Sequence, residues 1–275
     1  GLIKSFLIIF VPLAIFAGGI IEFLYHNEDT SLKKSIKQKE LNQLNTLEKV
    51  VTNYIKAIAI DILVISKHDA LKNYLETGSA EHLAALGNEF KWFCRIKGIY
   101  DQVRFLDNTG MEILRVNFDD GDPETVPQEY LQFKGERYYF KEAIQLSENE
   151  IFVSPFDLNI ERGKIELPIK PMIRFGTPVV DRAGNTRGIL LLNYLGADLL
   201  RFIDNVSEKG GGITILLNAE GYYLRGLNSD DEWGFMYEGG TDRTFSSHYP
   251  NSWKKIMASE SGQLLNDEGV FTHLT

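Results

Sequence analysis

The sequence predicts an α+β protein with an N-terminal transmembrane helix, a long stalk helix and two tandem antiparallel sheet domains, the second of them incomplete. Three observations support this prediction. An uncharged run opens the chain, a long amphipathic pattern follows it, and four turns of one type divide the remainder. Because the turns are of hairpin length and lie in two pairs, they predict two copies of one small sheet domain.

The first 26 residues predict a membrane anchor. Between Ser5 and Ile21 there is no charged side chain, and a run of this length is close to the roughly 20 residues that span a bilayer core. A secretory signal peptide is the alternative, but the run is long for one and no small-x-small cleavage site follows it cleanly. The chain starts with Gly1 and stops just after the last hairpin, so we expect a fragment of a longer protein.

Residues 27–67 predict one continuous helix of roughly 40 residues. They contain no Gly or Pro, and apolar side chains recur in steps of three and four from Leu41 to Ile65, the spacing of one helix face. This stripe has two candidate partners, the chain's own sheets or the same helix of a second chain. We expect the membrane-near half to pair in a homodimer and the distal half to pack on the sheets. Residues 70–96 predict further helices with a break at Gly78-Ser79.

The four predicted hairpin turns share one chemistry. An Asp or Asn side chain opens such a turn by bonding its own backbone, and a glycine with positive φ closes it. The turns are Asp107–Gly110, Asp181–Gly184, Asn218–Gly221 and Asn266–Gly269. Hydrophobic helices between the strands would suit a parallel α/β fold, but hairpin-length turns favour antiparallel pairing.

The remaining segments complete the predicted organisation. Residues 137–146 and 198–206 predict helices, 151–156 and 169–175 predict strands, and 157–164 predict a polar loop. The predicted division is an anchor over 1–26, a stalk and helical cap over 27–99, a first sheet domain over 100–206 and a truncated second one over 207–275.

Composition argues against several classes of function. A net charge of −9 and a pI of about 5.2 leave no basic stripe for a nucleic acid. The single cysteine, Cys94, permits no internal disulfide, and its apolar neighbours predict a buried structural thiol. There is no Gly-x-Ser-x-Gly, His-Glu-x-x-His or phosphate-loop motif. We therefore expect neither enzymatic activity nor a cofactor or metal ion in this chain.

Three segments resemble a known family of sensors. Tyr100–Asn117, Arg137–Ala143 and Val153–Tyr194 are similar to the double Cache (dCache, or PDC) extracytoplasmic sensor of bacterial membrane histidine kinases and diguanylate cyclases, whose two sheet domains are PAS-like. The resemblance covers nearly the whole chain, and the first sheet domain is its specific part.

Amino-acid-sensing members of that family carry an Arg-x-Trp/Tyr-Tyr/Phe-x-x-Ala motif. Its core matches Arg137, Tyr139, Phe140 and Ala143, whereas Gln132 stands where the motif has an upstream Tyr. The resemblance implies small-molecule sensing, and the departure at Gln132 leaves the chemistry of the ligand open.

The resemblance also implies that the ligand lies over the membrane-distal sheet, under the loops and the short helix. The Arg137 guanidinium offers two donors to a carboxylate, and Tyr138 and Tyr139 add aromatic walls. Pairing of Arg137 with Glu136 or Asp157 at the surface is the alternative. The residues expected to contact the ligand are Arg137, Tyr138, Tyr139, Asp157, Asn159, Arg174, Arg115 and Asn193.

Three of these expectations have alternatives of their own. Of Arg104 and Arg115 on the first hairpin, we expect one to point into the pocket and the other to solvent. Asn193 interrupts an apolar strand, so it is either a pocket residue or an outward-facing one. The spacing of Asp157, Asn159 and Glu161 suits a hard cation, but the rest of a calcium loop is missing and we favour a loop that caps the pocket.

Together these features predict the extracytoplasmic sensor region of a bacterial receptor, anchored in the inner membrane with the residues after about 26 outside the cytoplasm. The expected ligand is a small polar molecule that bears a carboxylate or an amine, and the expected output is a histidine kinase or diguanylate cyclase beyond this chain. A chemoreceptor with the same architecture is one alternative. An anchored solute-binding protein or hydrolase is another.

Overall fold

The structure is a computed structural model that describes residues 2–118, 121–161, 163–210 and 212–275. The side chains of residues 2–9, 11, 12, 14, 209 and 210 are not described, so part of the predicted anchor lies outside the described residues. Within the described part, no helix is long and apolar enough to cross a membrane. The architecture is α+β, with a long N-terminal helix and antiparallel sheets.

The helices agree with the predicted pattern. They are α1 (Leu2–Ser66), α2 (Asp69–Thr77), α3 (Ala80–Lys97), α4 (Tyr138–Ala143), α5 (Ala197–Gly210), α6 (Phe245–His248) and α7 (Pro250–Ile256), with short 3-10 helices at Gln128–Tyr130, Ser229–Asp231 and Gly234–Met236. The continuous stalk is confirmed, since α1 is one helix of 65 residues. The predicted break is also present: Gly78 ends α2 with φ +61°, and Ser79 Oγ accepts from the His82 N–H to cap α3.

Thirteen strands lie in the described residues. They are β1 (Tyr100–Asp107), β2 (Glu112–Asn117), β3 (Glu124–Thr125), β4 (Phe152–Val153), β5 (Asp157–Leu158), β6 (Ile160–Glu161), β7 (Lys164–Ile165), β8 (Pro171–Val180), β9 (Thr186–Leu195), β10 (Leu216–Leu217), β11 (Tyr223–Arg225), β12 (Ser261–Asn266) and β13 (Gly269–Leu274). Seven form one antiparallel sheet in the order β3-β2-β1-β9-β8-β4, with β5 also paired to β8. The strand predicted over 151–156 is shortened to β4, and the predicted polar loop contains β5, β6 and the start of β7.

All four predicted hairpins form, with the predicted chemistry. Asp107 Oδ1 accepts hydrogen bonds from the backbone N–H groups of Thr109 and Met111 at 2.8 and 3.0 Å, and Gly110 has φ +90°. The other three turns repeat this arrangement of an Asx acceptor and a glycine with positive φ. Local turn chemistry therefore fixes the register of the strands.

One face of the seven-stranded sheet packs on the helices. We call it the apolar face and define it by five buried residues: Val103, Phe105, Phe175, Leu190 and Leu192. On the other side of this core, α1 contributes Ile58, Ile62 and Ile65, which confirms the prediction that its distal half packs on the sheet. Cys94 is buried in the same core, and burial raises the pKa of its thiol to about 12, as a structural role requires.

The C-terminal region is built differently. The hairpins β10–β11 and β12–β13 are separate two-stranded sheets, in the region where the sequence predicted a truncated second sheet domain. Aromatic side chains join them, among them Tyr223, Phe245 and Phe271. This region also contacts the stalk, because Glu40 Oε2 on α1 accepts from Gln263 Nε2 at 2.8 Å.

Candidate functional site

The second face of the seven-stranded sheet carries polar side chains, because successive residues of a strand point to opposite faces. Cross-strand register places Gln102, Asn193 and Arg174 in one row, with Arg104 and Arg115 paired beside it. We call this surface the polar face. It is defined by six residues, each at most 7% exposed: Gln102, Arg104, Glu112, Arg115, Arg174 and Asn193.

Glu112 lies between two guanidinium groups. Its Oε1 is 3.4 Å from Arg104 Nη1, and its Oε2 is 3.2 Å from Arg115 Nη1. Arg115 Nη2 also donates to the backbone oxygen of Tyr130 at 3.4 Å. Buried charges are costly unless they are paired, and here two guanidinium groups share one carboxylate.

Gln102 connects this ion cluster to Asn193. Its side-chain oxygen accepts hydrogen bonds from Arg104 Nη2 and, at 3.2 Å, from Asn193 Nδ2. The amide of Asn193 is fully buried in the middle of β9, where a polar group without partners would be destabilising. The pairing with Gln102 therefore orients Asn193 toward the polar face.

Arg174 is the third arginine of the polar face. Its Nη1 is 2.5 Å from Asp157 Oδ1, and its Nη2 donates to Asn159 Oδ1 at 3.0 Å. Its guanidinium carbon also lies 5.5 Å from the centre of the Tyr139 ring, within range of a cation–π contact. Arg174 thus joins the sheet to the residues above it.

Those residues are α4 and the segment 157–165, which we call the cover. The Tyr138 hydroxyl donates to Asp157 Oδ2 at 2.9 Å and links the two parts of the cover. Partial burial raises the pKa of Tyr138 to about 12, so the phenol remains a donor at neutral pH. The helix approaches β8 closely, because a Cβ at Gly176 would lie 2.9 Å from the Cβ of Ala143.

Lys134 enters the same region from the chain before α4. Its backbone N–H donates to the oxygen of Gly110 at 2.7 Å, at a crossing so close that a Cβ on Gly110 would lie 2.4 Å from Gly135 Cα. Its Nζ donates to Gln132 Oε1 at 2.7 Å. Burial, and then the positive charge of Arg104, lower the pKa of Lys134, while Glu161 and Glu112 act in the opposite direction.

Unpartnered polar atoms concentrate at the polar face. In the part of the chain that the structure describes, seven buried side-chain nitrogen or oxygen atoms lack a hydrogen-bond partner. Four of them belong to the polar face, and the fifth belongs to Asn117, which is paired with Gln102 across β1 and β2. The atoms are Arg104 Nε, Arg115 Nε, Glu112 Oε1, Asn193 Oδ1 and Asn117 Oδ1. Most buried polar groups in proteins are hydrogen-bonded, so this concentration marks a place suited to a polar ligand.

Two cavities lie elsewhere in the molecule. One of about 750 Å³ runs along α1 between Ser31 and Thr46, beside Val206. The other, of about 150 Å³, lies between α2 and the β8–β9 turn. The lining of neither includes a residue of the polar face.

The eight residues expected from the sequence to contact a ligand all belong to the polar face, to the cover or to the border of α4. Arg137 is half-buried directly before α4, with its guanidinium carbon 5.8 Å from the centre of the Tyr139 ring. Glu136, its proposed surface partner, instead binds Lys141. The structure brings these residues together, and their contact with a ligand remains a prediction.

One orientation predicted from the sequence is wrong. Arg104 and Arg115 do not point to opposite sides, since they are directly paired across β1 and β2 and are 2% and 6% exposed. Residues directly opposite each other in an antiparallel pair share a face, and Glu112 binds both. Asn193 is fully buried, so the outward-facing alternative is wrong, and its contact with a ligand remains a prediction.

Sequence reasoning missed Gln102, Glu112 and Lys134. A signal existed for the first of them, because Gln102 and Arg104 lie two residues apart on a strand with apolar residues between and after them. The position of Lys134 depends on the crossing of Gly110 and Gly135, which no local pattern indicates.

The cation alternative for 157–161 does not match the geometry. Asp157 and Asn159 both contact Arg174, which occupies their oxygens with a guanidinium. Among the residues that the structure describes, no three His, Cys, Asp or Glu side chains are arranged to hold a metal ion.

Comparison with known proteins decides the family. The sequence model described as "Bacterial histidine kinase, sensor domain" matches residues 34–275. The chain belongs to this family. The predicted role as an extracytoplasmic ligand-sensing region of a signalling receptor is confirmed at this level, and a sensor family agrees with the expectation of a non-catalytic chain. No curated protein matches the sequence.

Solved structures share the fold of this sensor domain. A domain of a Vibrio parahaemolyticus protein assigned to the sensory box/GGDEF family has a TM-score of 0.75 and 22% identity, over 85% of this chain and 88% of its own. The extracellular domain of a protein assigned as the histidine kinase vpHK1S-Z8 has a TM-score of 0.74 and 22% identity, over 85% and 83%. These similarities confirm the resemblance to Cache sensors at the level of the fold.

A chemoreceptor domain shares the fold at greater distance. The ligand-binding domain of Campylobacter jejuni chemoreceptor Tlp3, solved in complex with 4-methylisoleucine, has a TM-score of 0.62 and 14% identity. The match covers 86% of this chain and 84% of that domain. The fold is therefore shared by receptors of more than one kind.

Proposed function

We propose that this sensor domain binds a small polar molecule between the polar face and the cover. The observation that supports the proposal is the concentration of unpartnered buried polar atoms at the polar face and at Asn117 beside it, where five of the seven in the described residues lie. A ligand with complementary groups would satisfy them. Solved domains of the same fold bind small molecules, as the Tlp3 domain binds 4-methylisoleucine.

We further propose that residues 1–26 anchor the chain in the bacterial inner membrane and that 27–275 lie outside the cytoplasm. The support comes from the sequence, where no charge interrupts Ser5 to Ile21. Apolar side chains in the described part of this segment are also exposed, with Leu13, Phe16 and Phe23 at 66%, 71% and 70%. A lipid environment would cover them.

A homodimer through the stalk helix is part of the proposal. On α1 before the sheet, Leu32 and Ile36 are 60% and 45% exposed and lie four residues apart, so they share one side of the helix. The same side chains on a second copy would bury them. In this arrangement 100–206 is the membrane-distal sensor domain and 207–275 the membrane-proximal one.

The stalk is also the proposed route of the signal. It packs on the apolar face through Ile58 and Ile62, and it contacts the C-terminal hairpin through Glu40. A ligand that prefers one of two arrangements shifts the balance between them, and α1 would carry that shift to the membrane. The family favours a histidine kinase as the output.

Thermal melting of the purified chain in detergent tests ligand binding. Intrinsic fluorescence reports unfolding, since the chain has three tryptophans, and the panel comprises amino acids, carboxylates, amines and purines. A ligand that binds only the folded state stabilises it by about 2.7 kcal/mol at one hundred times its Kd. We expect at least one member of the panel to raise the midpoint by several degrees.

A pair of variants locates the site. Asn193→Leu removes a half-satisfied amide from the polar face and should leave the ligand-free midpoint nearly unchanged, while it abolishes the ligand shift. Thr177→Val is the matched control, because Thr177 is equally buried and lies opposite Leu190 on the apolar face. A ligand shift that persists in Asn193→Leu would place binding elsewhere and refute the proposed site.

A further inference from the structure

We infer that Trp233 of the C-terminal region is a positioning residue for the cover and couples the candidate site directly to that region. The inference rests on the proposed function, because it assigns a role at the same site. It follows from the alternation of side chains at the start of the cover, from the hydrophobic cluster that Trp233 shares with the cover, and from the backbone conformation of Trp233.

The chain at the start of the cover presents different side chains to its two sides, because successive residues of an extended segment point in opposite directions. Asp157 and Asn159 both bind the guanidinium group of Arg174, at 2.5 and 3.0 Å. Phe156 and Leu158 alternate with them and pack against the C-terminal region. One short segment therefore contacts the polar face on one side and the C-terminal region on the other.

Trp233 packs on these apolar side chains. Its ring meets the ring of Phe156 edge to face, with 5.2 Å between the ring centres, an arrangement that aromatic pairs favour. Around it lies a hydrophobic cluster, which we call the Trp233 cluster, of Phe156, Leu158, Leu200, Leu224 and Trp233. Because Leu158 and Trp233 are buried in this cluster, a separation of the cover from the C-terminal region would expose apolar surface to water.

The ring of Phe156 has little room to move. A Cβ on Gly196, where β9 meets α5, would clash with this ring. The backbone N–H of Gly196 donates to the oxygen of Pro171 at 2.9 Å, which ties the junction to the start of β8. A displacement of Phe156 therefore requires a displacement of Trp233 or of this junction.

The backbone of Trp233 adopts a conformation that is unfavourable for a bulky side chain. Its φ is +61° and its ψ is +24°, in the left-handed region. Such a conformation persists only where the surroundings fix it, and the N–H of Trp233 donates to the oxygen of Tyr223 at 2.8 Å. Glu232, directly before it, accepts from the N–H of Gly226 at 3.1 Å and lies 3.4 Å from Arg225 Nη1. These contacts hold the indole against the cover at the expense of backbone strain.

Hydrogen–deuterium exchange of the ligand-free full chain in detergent tests the positioning role. The backbone N–H groups of Ser154 and Asn159 donate to the oxygens of Arg174 and Lys170 at 2.8 and 2.9 Å, so their exchange reports the local opening of this segment. We expect Trp233→Ala to speed exchange in peptides from 154–161 by at least about fivefold.

Phe245→Ala is the matched control. Phe245 is 2% exposed, as Trp233 is, and it packs in the C-terminal region in a cluster with Tyr223 and Ile256. Its truncation should speed exchange in peptides from 245–275 and leave exchange in 154–161 unchanged within about a factor of two. The contrast separates a positioning role from a general loss of stability, which would affect the cover equally in both variants.

Fluorine NMR gives a second readout that keeps the indole in place. The chain has three tryptophans, Trp92, Trp233 and Trp253, and labelling with 5-fluorotryptophan gives each of them a resonance. Tyr138→Phe removes the hydrogen bond from α4 to Asp157. We expect this change in the cover to shift the Trp233 resonance by more than its linewidth and to leave the other two in place.

Tyr130→Phe is the control for the NMR measurement, because it makes the same chemical change at a side chain that is 58% exposed. It should move none of the three resonances. A Trp233 resonance that Tyr138→Phe leaves in place would overturn the inference, and so would equal acceleration of exchange in 154–161 by Trp233→Ala and Phe245→Ala. If Trp233→Ala does not fold, the resonance decides alone.

The outcomes separate this inference from the proposed function. Neither readout requires a ligand, whereas the proposed function fails if no member of the melting panel shifts the midpoint. Faster exchange in 154–161 in Trp233→Ala alone, together with a shifted Trp233 resonance in Tyr138→Phe, supports the coupling of the cover to the C-terminal region.

Discussion

The apolar face and the polar face of the seven-stranded sheet share strands β1, β8 and β9 but carry different side chains. On β9, Leu190 and Leu192 point into the apolar core, whereas Asn193 points to the polar face. On β1, Phe105 belongs to the core and Arg104 to the ion cluster. Strand alternation therefore lets one sheet serve as both the structural core and the candidate site, and the two roles should be separable by mutation.

The largest effect is expected on the apolar face. Phe105→Ala should reduce the free energy of unfolding by about 3–5 kcal/mol, because Phe105 is 2% exposed and its removal leaves a cavity. Urea denaturation measures the loss, and the exposed Trp92 serves as a control whose replacement by Ala should cost under about 1 kcal/mol. A loss below 1 kcal/mol for Phe105→Ala would show that this face is not the core.

The second-largest loss of stability is expected when a buried charge of the polar face is removed. Glu112→Gln leaves Arg104 and Arg115 without their shared carboxylate, and removing one partner of a buried ion pair costs about 3–5 kcal/mol. Glu136→Gln is the matched control, since the Glu136–Lys141 pair is exposed and should contribute about 0–1 kcal/mol. Equal losses in the two variants would mean that the ion cluster is accessible to solvent.

A smaller effect should appear in the pH dependence of stability. The pKa of Lys134 is lowered from its ordinary value of 10.5, with burial as the largest cause and Arg104 the next. Since the folded protein releases this proton more readily than the unfolded chain, the contribution of Lys134 to stability should improve as pH rises toward 10.5.

The comparison of wild type with Lys134→Met isolates this contribution, because other groups titrate in both proteins. The wild type should gain stability relative to the variant as pH rises toward 10.5, the ordinary pKa of lysine, and urea denaturation measures the difference. Glu112, Glu161 and Arg137 also act on Lys134 and remain in both proteins. A stability difference that does not change with pH would show that burial does not lower the pKa of Lys134.

The smallest effect concerns the cover. Tyr138→Phe removes the hydrogen bond to Asp157 and should cost about 1 kcal/mol of stability, with a few-fold loss of ligand affinity. Tyr237→Phe makes the same chemical change at a residue of equal exposure, 38% in each case, in the C-terminal region. Calorimetric titration would contradict the role of the cover if both variants bound equally well.

The two faces of the sheet also show which structural features could be predicted from the sequence. Turn positions followed from local chemistry, since Asp107 and Gly110 act within four residues of each other. The apolar stripe of α1 was visible because Ile58, Ile62 and Ile65 recur at helical spacing. Such local rules gave the α+β class, the stalk and all four hairpins.

Turn chemistry and helical spacing could not predict contacts between segments that are distant in the sequence. The shared face of Arg104 and Arg115 follows from pairing register, and a shift of one residue would have separated them. The burial of Lys134 depends on the approach of Gly110 to Gly135. In the C-terminal region, the two hairpins are joined by aromatic side chains that lie far apart in the sequence, among them Tyr223, Phe245 and Phe271.

Hydrogen–deuterium exchange tests most directly whether the polar face and its cover bind the ligand. With a saturating concentration of the panel member that raises the melting midpoint most, amide exchange should slow in peptides from 133–165, which include the cover, and remain unchanged in peptides from 245–275. Asn193→Leu should abolish that protection. Protection confined to 212–275, or an identical pattern in Asn193→Leu, would contradict binding at the polar face.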